Sequence, residues 1–177
     1  STDCGIIARK HVGSNMGFEF SIQPGGQIRF FSEGNPTGAA DSGSLVPVGE
    51  WTHVAATLDG AKVRIWNNGT MVYEETHILP EPTTDSLLIG AFPPGNKCYL
   101  DGALYQLRIS SGVLYTESFV PEVVPTKNDA TLAHWPLNDI VADDFDENTA
   151  RDLSGNDNHG SLLNSPQWVA GECPGGE

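Results

Sequence analysis

The sequence predicts an all-β fold, a two-sheet antiparallel sandwich of the jelly-roll type, and three observations carry that prediction. Residues 51–73 read as three short strands joined by two tight turns, because Asp59-Gly60 and Asn68-Gly69 supply the positive φ angles that two-residue hairpin turns require. Residues 18–23 alternate strictly between apolar and polar, turn at Pro24-Gly25-Gly26, and return over residues 27–31 as a second hairpin. No segment shows helical periodicity, and turn signals recur at the short, even spacing of a sandwich.

The elements follow in order. Ile6-Ile7-Ala8 is a short apolar strand, and the 18–31 hairpin comes next. Residues 32–43, rich in Gly, Ala and Ser, form a polar loop. Residues 51–58 are dense in β-branched and aromatic side chains, and Lys62-Val63-Arg64-Ile65-Trp66 alternates as a strand should. Residues 80–85 are a linker, Leu87-Leu88-Ile89-Gly90 a strand, and Pro93-Pro94-Gly95-Asn96 a rigid turn before a longer strand over 99–110. The expected core is Ile7, Phe20, Ile28, Phe30, Val54, Ala56, Leu58, Val63, Ile65, Leu88, Leu104, Leu107, Ile109 and Trp135. Near residue 121 the texture changes to Pro, Val and Thr, which marks a linker over 121–130.

A chain of 177 residues suffices for one domain with a sizeable core. Nine Lys and Arg against 23 carboxylates leave a net charge of −14, which excludes nucleic acid and anionic membrane as partners, since both need a basic footprint. No apolar run is long enough to insert into a membrane. Cys4, Cys98 and Cys173 lack metal-type spacing, and their odd number allows one internal disulfide at most or three reduced thiols. Asn68-Gly69-Thr70 is a glycosylation sequon, although the turn alone explains its Asn-Gly pair.

The densest ligand-type loop is Asp152-Leu-Ser-Gly-Asn156-Asp157-Asn158-His159-Gly160, which gathers carboxylates, amides and freed carbonyls around a glycine. Calcium wants that oxygen density; an Asx-rich turn bonding its own backbone accounts for it equally well. Asp101 beside Gly102 is a weaker candidate for the same ion. The acidic run Asp139, Asp143, Asp144, Asp146 and Glu147 reads as a solvated loop, and the five histidines show no ligand spacing. A retaining glycosidase needs two carboxylates about 5 Å apart. No strand carries acids at alternate positions, and adjacent Glu74 and Glu75 face opposite sides, so catalysis is not expected.

Trp51-x-His53-Val54-Ala55-x-Thr57-x-Asp59-Gly60, followed by Ile65-x-x-Asn68-Gly69, resembles the laminin-G-like branch of the concanavalin A-like lectin/glucanase superfamily. Residues 87–90, 100–109 and 112–119 are similar to that family's closing strands and the connection after them. Tyr105 stands where relatives often carry a second Asp, which weakens any metal site using Asp101. Residues 132–137 and 150–160 resemble the beginning of such a domain rather than its end. The resemblance therefore implies a main jelly roll over 1–120 and a segment over 131–177 that folds back as a permuted piece or is donated to a neighbour. It implies a non-catalytic extracellular or cell-surface recognition and adhesion module. Glycan or an extracellular protein is the implied partner, with calcium as a structural ion ligated by Asp152, Asn156, Asp157 and Asp101. Ligand-facing aromatics would come from Trp66, Tyr73, Tyr99 and Tyr105, unless these are core, and Tyr115 is also available. The alternative is self-assembly by strand exchange into a filament or array, which Cys4 and Cys173 could lock between chains.

Overall fold

The computed structural model describes residues 4–10, 16–32, 38–92, 99–138 and 148–168, without the side chains of Cys4, Arg9 and Lys10. All regular structure among the described residues is β-strand, as the sequence predicts. The chain divides into two compact units that do not follow sequence order: residues 1–102 with 113–121, and residues 103–112 with 122–177.

The first unit is built on two antiparallel sheets. The larger sheet contains β1 (Cys4–Lys10), β2 (Gly17–Ile22), β3 (Gln27–Ser32), β4 (Ala40–Leu45) and β8 (Leu88–Ile89), in the order β4-β3-β2-β1-β8. Its register puts Ile89, Ile7, Phe20, Phe30 and Ala40 in one line across all five strands. The smaller sheet is the meander β5 (Val54–Leu58), β6 (Lys62–Asn67) and β7 (Thr70–Thr76). Val63 and Ile65 of β6 and Ile28 of β3 have no exposed surface. The sheets are tied by a hydrogen bond between Ser32 Oγ at the end of β3 and His77 Nε2 just past β7, 2.8 Å long and wholly buried. The Phe30 ring meets the His77 ring edge-on at 5.4 Å. The other face of the small sheet is covered by residues 113–119. Tyr115 and Phe119 stack on each other at 3.6 Å, and both meet the Trp66 and His53 rings edge-on.

Turn chemistry fixes these strands. Asn68 (φ 47°) and Gly69 (φ 76°) form the predicted two-residue turn between β6 and β7. Gly69 is also obligatory by contact, since a Cβ there would lie 1.8 Å from the Phe119 carbonyl oxygen. The β5–β6 connection departs from expectation. It spans residues 59–61, with Asp59 Oδ1 accepting from the Ala61 and Lys62 N–H groups, so the aspartate closes an Asx turn rather than sitting in a two-residue turn.

Two further expectations change. Residues 40–45 form β4 where the sequence predicts loop, because pairing with β3 supplies what the weak strand propensity of Ala-Asp-Ser-Gly lacks. The strand expected over 99–110 shrinks to β9 (Leu107–Ser110), and Gln106 just before it has φ 57°.

The second unit has short strands. Antiparallel to β9 runs β10 (Thr131–Trp135), and β11 (Thr149–Ala150) pairs with β12 (Gly160–Ser161). The segment after the 121–130 stretch thus pairs within the chain, with β9. Of the expected core, Ile7, Phe20, Ile28, Phe30, Val63, Ile65 and Trp135 are buried; Val54, Ala56, Leu58, Leu88, Leu104, Leu107 and Ile109 are half-buried. Trp66, Ile6, Ala8, Ala40, Ala133 and Ala150 join the buried set.

Candidate functional site

Alternation along a strand sends successive side chains to opposite faces. In β2 and just beyond it, Phe18, Phe20 and Ile22 take the core side, which leaves Glu19, Ser21 and Gln23 on the outer face of the large sheet. Register extends this face. Ser21 lies opposite Gly5 on one side and Arg29 on the other, and Arg29 lies opposite Asp41; Glu19 lies opposite Ala8 and Phe31.

The polar groups here are bonded to one another. Ser21 Oγ donates to Glu19 Oε1 (2.7 Å), Gln23 Nε2 donates to Ser21 Oγ (3.1 Å), and Gln27 Nε2 donates to the Ser42 carbonyl (2.6 Å). Arg29 grips Asp41 with two parallel bonds, Nε to Oδ1 at 2.5 Å and Nη2 to Oδ2 at 3.1 Å, the planar fork that suits a carboxylate. Glu19, Ser21 and Gln23 are buried, whereas Gln27, Arg29, Phe31 and Asp41 remain partly open. Residues 90–92 cross this face: a Cβ at Gly5 would lie 2.8 Å from the Ala91 carbonyl oxygen, so only glycine admits the crossing. The accessible part of this face is therefore Gln27, the Arg29–Asp41 pair and the Phe31 ring on the same strand as the arginine, beside a buried Glu19–Ser21–Gln23 row. The sequence signal is the polar half of the 18–23 alternation, which identifies a strand and does not by itself mark a site.

The residues singled out from sequence are dispersed. Trp66 is fully buried, and its indole N–H donates to Thr57 Oγ1 at 3.2 Å, so it is a core residue and presents no ring to a ligand. Tyr73 donates to Glu75 Oε2 at 2.5 Å; this bond and partial burial push its hydroxyl up to about 12, so it stays protonated at neutral pH. Tyr99 is half exposed, Tyr105 half-buried, and Asp101 exposed. Cys4 opens β1, while Cys98, Cys173 and the acidic run 139–147 lie outside the described residues.

The Asp152 loop is a structural hub. Asp152 is buried, and its carboxylate accepts four internal hydrogen bonds: from the His134 and Ser154 N–H groups at Oδ1, and from Ser154 Oγ and the Asn158 N–H at Oδ2. Burial raises this carboxyl, and the hydrogen bonds from Ser154, His134 and Asn158 outweigh it, for a net lowering. The Asn156 and Asn158 side-chain amides both donate to the Leu132 carbonyl, and the Trp135 indole donates to the Asn158 carbonyl. Asp157 points away, its side chain almost fully exposed. Among the described residues no three His, Cys, Asp or Glu side chains converge as a metal-holding group.

A family model for laminin-G-type domains of the concanavalin A-like lectin/glucanases superfamily matches residues 2–118, about two thirds of the chain. The chain belongs to this laminin-G family. The laminin-G match covers all eight strands of the first unit, including the outer face of the large sheet, and ends before β10. A solved structure that matches is a crystal structure of an S-layer domain-containing protein (residues 221–444) from Clostridium thermocellum ATCC 27405. It is 26% identical, with 66% of this chain and 58% of that chain covered and a TM-score of 0.30. This chain therefore spans little more than half of that structure. No curated protein matches the sequence.

Proposed function

We propose that this laminin-G domain is a non-catalytic recognition module of the cell exterior, which binds glycan through the outer face of its large sheet. The observation that supports this is the partly open Arg29–Asp41 pair with Gln27 and the Phe31 ring, on a sheet whose buried Glu19–Ser21–Gln23 row is already bonded to itself. Sugar hydroxyls both donate and accept, so they suit a surface of fixed carboxylate, amide and guanidinium groups, and a pyranose face suits a neighbouring aromatic ring.

The same face is a poor glycosidase. Glu19 and Asp41 are its described carboxylates. They sit two strands and two residues apart, roughly 12 Å from spacing alone, against about 5–9.5 Å for the paired acids of glycosidases. Asp41 is further engaged by Arg29.

Calcium enters the proposal as a stabiliser of the Asp152–Asp157 loop. A melting temperature that rises with calcium and falls with chelator supports it, and an unchanged melt removes it. Strand exchange between chains would require β10 to leave its partner β9, so it is not the reading adopted here.

The direct test is a glycan array probed with the wild-type chain and with Arg29→Ala. Binding that weakens about tenfold or more in the variant, as loss of a charged hydrogen bond would produce, supports the reading. A folded wild-type chain that binds no glycan overturns it.

A further inference from the structure

In the second unit an open depression of about 460 Å³ lies between the 127–132 segment and the turn at 154–156. This is within the usual range of small-ligand sites, about 300–1,000 Å³. Its polar groups divide evenly. Among the described basic side chains, Lys127 is the one with no ion pair or hydrogen bond; Arg29, Lys62, Arg64, Arg108 and Arg151 are all engaged. Its ammonium lies over Gly155 (φ 88°), where a Cβ would come within 3.0 Å of it. Asn128 spends its Oδ1 on the Ala130 N–H and Thr131 Oγ1, which leaves its amide N–H₂ as a donor. Asn156 spends Nδ2 on the Thr131 and Leu132 carbonyls, which leaves its Oδ1 as an acceptor. Asp129 is exposed and forms no ion pair among the described residues. Between these groups Leu132 keeps 46% of its surface exposed.

Charge decides what such a depression accepts. An anion meets Asp129 and a chain of net charge −14, and a cation meets Lys127. An uncharged ligand rich in hydroxyls satisfies both, since each hydroxyl donates to Asp129 or Asn156 and accepts from Lys127 or Asn128, while its apolar face covers Leu132. We propose that this depression is a second saccharide site, for a short neutral glycan, distinct from the outer face of the first unit. It rests on the glycan-recognition reading and adds a separate locus to it.

The test titrates the isotope-labelled full chain with lactose, cellobiose and mannobiose, and with sialyllactose and a sulfated disaccharide as charged controls, following backbone amide shifts, for the wild type, Arg29→Ala and the double variant Lys127→Ala/Asp129→Ala. The expected result is shifts at residues 127–132 and 154–156 for at least one disaccharide. They should persist in Arg29→Ala, weaken about tenfold or more in the double variant, and change little when salt is raised. Both substituted side chains are exposed, so the variant should keep the wild-type spectrum elsewhere. Three results would overturn the second site: shifts confined to β2–β4 and lost in Arg29→Ala, which leaves the outer-face reading intact; shifts at 127–132 unaltered in the double variant; and binding at 127–132 only by sialylated or sulfated sugars. No shift anywhere with any sugar overturns both readings together.

Discussion

In the first unit the large apolar side chains Ile28, Phe30, Val63, Ile65 and Trp66 are buried together, while Glu19, Ser21 and Gln23, buried as well, lie on the opposite face of the large sheet. In the second unit the polar residues themselves hold the chain. Asp152, Ser154, Asn156 and Asn158 are spent on the backbone of residues 131–135 and on one another, while β11 and β12 are two residues each. Oxygen-rich sequence alone therefore does not mark a site: in the second unit most such side chains are fasteners of the backbone, and only those left unspent can meet a ligand.

The largest effect expected is in the first unit. Trp66→Ala should destabilise by about 3–5 kcal/mol, the usual cost of emptying a large buried aromatic site, measured by urea unfolding. Asp152→Ala should cost about 3 kcal/mol, because three buried donors and one half-buried donor lose a charged acceptor, with Asp152→Asn recovering part of it. Near wild-type stability for Asp152→Ala would erase the contrast between the units.

Acid should act on both units. Burial lowers the His77 imidazole, partly countered by Glu75; burial and the Arg108 charge lower that of His134, partly countered by Asp152. The unfolded chain then binds more protons than the folded one below pH 6.5, so stability is full above that value and declines as pH falls beneath it. Asp152, lowered on balance, adds a further loss as pH falls through 3.8 and below. Thermal melts between pH 7.5 and 3 should show the two declines, and His134→Gln should reduce the first. The smallest effect is at the surface pair: Arg29→Ala should shift stability by no more than about 1 kcal/mol, since both side chains are partly exposed.

Much of this architecture was legible in the residues. The 18–31 and 62–76 hairpins were, because positive-φ turns at Gly25-Gly26 and Asn68-Gly69 fix register with no help from the rest of the chain. β4 was not, because Ala40-Asp-Ser-Gly-Ser-Leu45 becomes a strand only through β3, with the Arg29–Asp41 pair across the ladder. Trp66 read as a ligand-facing ring because nothing local tells an aromatic covered by residues 113–119 from one open to solvent. The outer face stayed hidden because its residues come from three strands, β2 to β4, that only register brings together.

The most direct test of that face follows the amides of Ser21, Arg29 and Asp41 while the isotope-labelled chain is titrated with the tightest-binding array glycan. The account predicts shifts at all three in the wild type and saturation only at about tenfold or more higher glycan in Arg29→Ala, with the variant's stability within about 1 kcal/mol of wild type. Saturable glycan binding that leaves these three amides unmoved would contradict it.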